Sequence, residues 1–366
     1  MPARTALQRR TNRESPTFLR SDYVVVGGGV VAVVLAGLGH YLGWGEVLSF
    51  LLSAAAVTLL AALVGRSVEQ LGDRFGPGAT GVLQSALGNL PELFISLFAL
   101  RSGLIGVVKA ALIGSILANL LLVLGLAFVV GGVRHGVQRI GSGRARTIAT
   151  LMILSVIALV IPSVAHYSGS PAAHHEESLS LIVAVVLIAI FVASLPGSLR
   201  KAGAGSEVEH EPPRWPVALA VGLLAVAGVL SAFVSDWFVA ALEPAMGALH
   251  ISDAFAGLVI VAIAGNAIEN VVGVQLAAKD HSEYAFSVII NSPLQIALVL
   301  APVLVILSQV FGFAALTMVF SPLLVAAVAL AVIIVVVITV DGESSWLEGA
   351  ALVGVYIVVA ASFWWG

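Results

Sequence analysis

The chain reads as an all-α polytopic membrane protein of about eleven transmembrane helices, an N-terminal helix plus two inverted-topology five-helix repeats. Three observations predict this. Sixty per cent of the residues are hydrophobic and only 10% are charged, whereas a soluble domain carries roughly 25% charged residues. The apolar residues gather in runs of about twenty, long enough to cross a bilayer as helices. Two internal segments also repeat each other, Gly88-Asn89-Leu90-Pro91-Glu92 and Gly265-Asn266-Ala267-Ile268-Glu269.

The first twenty residues are basic, with Arg4, Arg9, Arg10, Arg13 and Arg20 against Glu14. The apolar run that follows, Tyr23 to Leu42, is longer than a signal-peptide core and leads directly into another span, so 1–43 reads as a cytoplasmic tail and a retained first helix. Spans at 46–65, 78–100, 104–130, 147–166 and 179–199 make a first repeat over 44–200. The longest polar interruption runs from Arg200 to Arg214, with Glu207, Glu209, His210, Glu211 and Pro212-Pro213, and reads as an acidic cytoplasmic linker over 201–214. Spans at 216–240, 251–276, 284–309, 313–339 and 346–365 make a second repeat over 215–366.

An offset of 177 carries Gly88 onto Gly265 and Ser115 onto Ser292 without a gap. Helices five apart in order cross the bilayer in opposite directions, which makes the repeats inverted, an architecture of secondary transporters with the site between the repeats. Arg66, Arg74, the loop Arg134 to Arg146, Arg200, Lys201 and Lys279 all fall on the side of the N-terminus, while the 166–178 loop opposite carries no basic residue other than histidine. That distribution places the N-terminus in the cytoplasm. The expected setting is a prokaryotic inner membrane, with lipid as the surrounding medium and no nucleic-acid partner. Monomer and homo-oligomer are both open.

An acidic side chain at membrane depth costs roughly 2.5–3.5 kcal/mol even on mild insertion scales, so Glu92 and Glu269, in duplicate settings, demand a function. Asn89 and Asn266 each stand three residues before their glutamate, where they share its helix face. In the helices that follow, Ser115 and Asn119 are four apart, and Ser292 and Gln295 three apart. Carboxylate, amide carbonyl and hydroxyl are hard oxygen donors suited to Ca²⁺, Mg²⁺ or Mn²⁺. Cysteine is absent, which excludes disulfides and thiolate metal sites. Gly88, Gly265, Pro91 and Pro293 are placed to interrupt the helices and free backbone carbonyls beside the glutamates. His174-His175-Glu176-Glu177 reads instead as a solvated loop, and Glu69 and Asp73 as local partners of Arg66 and Arg74.

Charge balance then gives a mechanism. One divalent cation or two protons neutralise the two carboxylates, whereas the empty site holds two like charges in a low-dielectric interior. If neutral sites alone reorient, one divalent cation exchanges for two protons, with no resident cofactor and no enzyme chemistry. A divalent-cation channel and an intramembrane carboxylate hydrolase are the readings from other classes. A single chain that supplies two inverted half-sites favours the antiporter, and no nucleophile motif accompanies the glutamates.

Gly-Asn-x-x-Glu in both halves, Gly114-Ser115-x-x-x-Asn119 and Ser292-x-x-Gln295 resemble the calcium/proton exchangers (CAX), a branch of the cation/calcium exchanger superfamily, over most of the chain from about residue 46. The resemblance implies Ca²⁺ and H⁺ as transported substrates, bound in turn by Glu92 and Glu269 during alternating access. Asp236 and Glu243 stand where that family also carries acids. Sodium-coupled branches favour Gly-Thr-Ser ahead of the acid, so Gly-Asn points to proton coupling. The alternatives are Na⁺-coupled Ca²⁺ exchange and H⁺-coupled exchange of Mn²⁺, Na⁺ or K⁺. The chain departs from the family at Asn270, where a histidine is usual, and at Asn291, where Gly-Ser is common.

Overall fold

The computed structural model describes residues 18–75, 83, 87–201 and 213–365. Most of the basic tail and most of the acidic linker, including Glu207, Glu209, His210 and Glu211, lie outside them. Among the described residues the principal helices are, in order, α1 Arg20–Leu42, α2 Glu46–Phe75, α3 Leu90–Arg101, α4 Ile105–His135, α5 Ser142–Tyr167 and α6 Glu176–Lys201. After the linker come α7 Val217–Leu249, α8 Asp253–Gly265, α9 Ala267–Ala278, α10 Ser282–Val310, α11 Pro322–Thr339 and α12 Trp346–Ser362. Eight of these are long and apolar enough to cross a membrane alone, and α8 with α9 forms a ninth, broken span. At 17 residues α12 is slightly shorter, and α3 is the described part of the span expected at 78–100.

The helices α4 and α10, equivalent in the two repeats, are the most enclosed spans. Small residues let α4 pack backbone to backbone against α8 and α12. A Cβ on Gly114 of α4 would overlap the Leu258 backbone of α8, and one on Gly257 of α8 would lie 2.8 Å from the Ala110 Cβ and 2.9 Å from the Ala111 nitrogen. On the other side of α4, Gly125 faces Gly349 of α12, with 2.7 Å from an added Cβ to the Gly349 carbonyl oxygen. Apolar burial gives little drive for association inside lipid, so close packing of this kind carries the contact. Each contact joins one repeat to the other.

Three π-turns interrupt these central helices, at Ala118–Val123 in α4, Ala256–Val261 in α8 and Ile296–Leu300 in α10. The same offset of 177 carries Asn119–Val123 onto Ile296–Leu300, so the irregularity repeats with the motif. Such turns add one residue to a helical turn and re-aim the side chains around it.

The span expected at 313–339 begins as helix only at Pro322. Ser321 caps it, accepting from the Leu324 N–H at 3.4 Å, and a proline in the first turn loses no helical hydrogen bond. Residues 313–321 run instead as a non-helical segment with Leu316, Met318 and Phe320 buried. The N–H groups of those three donate to Ser308 of α10 (3.1 Å), Ser180 of α6 (2.8 Å) and Ser163 of α5 (2.9 Å). Lys109 of α4 adds donors to the Thr317 hydroxyl (3.0 Å) and the Val319 carbonyl (2.7 Å). Irregular backbone is tolerated in a membrane domain where protein groups satisfy it in this way. Hydropathy cannot distinguish such a segment from a helix.

Two other features depart from the expectation. The span expected at 216–240 continues to Leu249 through Pro244, which leaves Asp236 and Glu243 exposed on α7. Arg66, expected to pair locally, reaches across to the buried Asp22 of α1 at 2.6 Å, where Arg214 joins it at 3.3 Å. Gln70 accepts from the Arg214 and Trp215 N–H groups, tying the end of the linker to α2. A short antiparallel ladder, β1 Gln138–Arg139 with β2 Glu343–Ser344, joins two loops.

Gly257→Ala should destabilise the fold by about 1–3 kcal/mol through overpacking. The measurement is melting temperature in detergent, with Gly222→Ala, where nothing lies within 4 Å of an added Cβ, as the control expected to melt as the parent does or slightly higher.

Candidate cation-binding site

The asparagines of the two motifs adopt the same backbone conformation. Asn89 precedes α3 with φ −95° and ψ 19°, and Asn266 precedes α9 with φ −98° and ψ 19°. Each therefore sits at a helix break with the following glutamate in the first turn of the next helix. That turn exposes free N–H groups and the positive end of the helix dipole, which favours a carboxylate. Pro91 sits in the first turn of α3, where its missing N–H costs nothing.

Around the break the side chains of four elements converge. Glu92 Oε1 accepts from the Ser115 hydroxyl of α4 at 2.7 Å and from Asn266 Nδ2 at 2.5 Å. Asn266 Nδ2 also lies 2.9 Å from the Ser115 oxygen and 2.9 Å from the Ala262 carbonyl. On its other face, Asn266 Oδ1 accepts from the Ser292 hydroxyl of α10 (3.0 Å) and from Asn119 Nδ2 (3.1 Å). Asn119 Nδ2 further approaches the Ser115 carbonyl at 2.9 Å and the Ser292 oxygen at 3.3 Å. Glu92, Ser115 and Asn119 come from the first repeat, and Asn266 and Ser292 from the second.

This cluster is closed off from solvent: Asn119 is 0% exposed, Asn266 1%, Ser115 and Ser292 3% and Glu92 4%. Gly265 makes the approach possible, because a Cβ there would lie 2.8 Å from Glu92 Oε1. Two acceptors in the cluster have no hydrogen-bond partner, Glu92 Oε2 and Asn119 Oδ1. A buried acceptor without a donor is costly, more so when it carries charge. Oxygen atoms of this kind, in a site with no sulfur and no histidine, suit a hard cation or a proton.

Of the residues singled out by sequence, Glu92, Asn266, Ser115, Asn119 and Ser292 form one network. Asn89 and Gln295 are half-buried and make no hydrogen bond to it among the described residues. Gly88 is buried in the turn before α3. Glu269 lies in the first turn of α9, and its side chain is outside the described residues. Pro293 does not break its helix, as its type suggested: α10 continues through it, with the π-turn Ile296–Leu300 immediately beyond. Asp236, Glu243, His174 and His175 stay out of the cluster, and no group of three or more His, Cys, Asp or Glu able to hold a metal occurs among the described residues.

Sequence reading treated Asn89 and Asn266 as equals and missed the central place of Asn266. A signal was present. Asn119 has Ile296 at its repeat-equivalent position, so the amide that anchors Asn266 Oδ1 has no counterpart in the other half. Asn266→Ala should leave Glu92 Oε1 with one donor and weaken divalent-cation binding roughly tenfold or more, since a hydrogen bond to a charged group contributes about 1.5–3 kcal/mol. Calorimetric titration in detergent checks this, with a smaller loss expected for Asn89→Ala.

The family model for the sodium/calcium exchanger protein matches the chain twice, over residues 45–199 and 219–365. A Ca²⁺/H⁺ antiporter from Synechocystis sp. is 37% identical, covering 90% of this chain and 94% of the relative. The Ca²⁺/H⁺ antiporter ChaA from Bacillus subtilis is 36% identical over 94% of this chain and 99% of its own. Among solved structures, native YfkE superposes with a TM-score of 0.81 at 33% identity, covering 93% of this chain and 99% of that one. The H⁺/Ca²⁺ exchanger CAX, at 16% identity and a TM-score of 0.73, shares the fold. Two matches in one chain, a shared fold and relatives along nearly its whole length lead to one conclusion: the chain belongs to the sodium/calcium exchanger family, in its calcium/proton exchanger branch.

Proposed function

We propose that the chain is a secondary antiporter that exchanges Ca²⁺ for H⁺ across a membrane by alternating access, with Glu92 and Glu269 binding the cation and protons in turn. The observation that carries this is the buried cluster of hydroxyls and carboxamides that both repeats build around Glu92. The relatives named Ca²⁺/H⁺ antiporter support the identity of both ions.

In this reading the two carboxylates supply the charge, and Asn89, Asn266, Ser115, Asn119, Ser292 and Gln295 supply neutral oxygens around them. The chain breaks at Gly88–Pro91 and Gly265, and the irregular turn after Pro293, bring backbone close to the cation. Ca²⁺ takes roughly six to eight oxygens in a flexible arrangement, which suits a site assembled from several helices. Any two like unit charges about 4 Å apart repel by about 4 kcal/mol at an effective dielectric constant near 20. A penalty of that size makes reorientation of the empty site about a thousandfold rarer than that of a neutralised one. Exchange without leak follows. The protein is a transporter rather than an enzyme and needs no resident cofactor. It lies in a prokaryotic inner membrane with the N-terminus cytoplasmic and the linker 201–214 between repeats 44–200 and 215–366.

The test is ⁴⁵Ca²⁺ uptake into proteoliposomes under an imposed pH gradient and without sodium. Uptake by the parent protein, lost in both Glu92→Gln and Glu269→Gln, is expected, with no large membrane current. Uptake that required Na⁺ would move the assignment to sodium coupling, and a sustained current would contradict neutral exchange.

A further inference from the structure

Asn270 stands one turn beyond Asn266. Its N–H donates to the Asn266 carbonyl at 3.1 Å, so the two side chains share a face at the start of α9. Its Oδ1 is buried and accepts no hydrogen bond. In that respect it matches Glu92 Oε2 and Asn119 Oδ1. Both of those residues bond directly to Asn266, at 2.5 and 3.1 Å. Two unpaired acceptors thus belong to side chains bonded to Asn266, and the third belongs to the residue one helical turn beyond it.

Among the described residues the other unpaired buried side-chain oxygens, on Ser53, Ser231, Ser235, Ser344 and Tyr356, are hydroxyls that carry their own proton and can turn to donate. A carboxamide oxygen has no such freedom. It is satisfied by a donor or by a cation, and the cluster beside it is built for a cation.

We propose that the Asn270 side-chain oxygen is a further ligand of the bound divalent cation and favours Ca²⁺ over smaller ions. The inference rests on the exchange reading above. Ca²⁺ accepts roughly six to eight oxygens at 2.3–2.6 Å, whereas smaller, octahedral cations are complete with about six. An additional neutral oxygen therefore stabilises Ca²⁺ selectively. It also leaves the charge of the site unchanged, so the balance of one divalent cation against two protons is kept. A histidine at this position would instead offer a softer nitrogen that takes up protons itself.

Initial rates of Ca²⁺ and Mn²⁺ uptake in acid-loaded proteoliposomes test this in the parent, Asn270→Leu and Asn270→Asp. Leucine keeps the volume and removes the oxygen, and aspartate restores an oxygen at the same reach. Asn270→Leu should raise the KM for Ca²⁺ roughly tenfold or more and that for Mn²⁺ less than about threefold, with Asn270→Asp returning the Ca²⁺ KM to within about threefold of the parent. Asn270→Ala provides the same comparison if leucine is not accommodated. An unchanged Ca²⁺ KM in the oxygen-free variants overturns the inference, as does equal loss for both cations without rescue by aspartate. Failure of the parent protein to take up Ca²⁺ at all would overturn the exchange reading itself, so the two failures are distinguishable.

Discussion

A carboxylate buried among apolar helices must be given donors, and Glu92 takes its donors from both halves of the chain. Ser115 comes from the helix that follows it, and Asn266 from the opposite repeat. The remaining architecture serves that arrangement. The helix break at Asn266 directs an amide at Glu92, Gly265 lets the backbone approach, and Gly114 with Gly257 holds α4 against α8 at backbone distance. Without the close helix packing the amide would not reach, and without the amide the carboxylate would be left largely unsatisfied.

Inverted repeats generate two equivalent half-sites, yet the sites are not chemically equal. The backbones of Asn89 and Asn266 agree within a few degrees. Their side chains do not share a role, because Asn119 exists in one half and Ile296 replaces it in the other. Asn266 is therefore anchored at both ends of its amide, to Glu92 and Ser115 on one side and to Ser292 and Asn119 on the other. Asymmetry of this kind gives Glu92 a buried setting with donors from both repeats.

Away from the site, the same principle governs the segment 313–321 and the buried Asp22. Residues 313–321 run without helix, with Leu316, Met318 and Phe320 buried, because Ser163, Ser180, Ser308 and Lys109 satisfy part of the backbone that helix formation would have satisfied. Asp22 is buried because Arg66 and Arg214 accompany it. Both of these polar clusters draw their members from different helices, so they lock tertiary structure.

By itself the sequence determined the membrane class, most of the spans, the repeat and the residue types of the buried network, Glu92, Ser115, Asn119, Asn266 and Ser292. Apolar run length and residue type decide these locally: a run of about twenty apolar residues has few options in lipid, and a carboxylate inside one cannot be incidental. Tertiary structure alone decided that Asn266 rather than Asn89 holds Glu92, that Gln295 stays outside the network, and that α10 runs through Pro293. It also decided that 313–321 is not helix. These outcomes depend on which donors distant helices bring within about 3 Å, a distance set by packing rather than by neighbours in the chain.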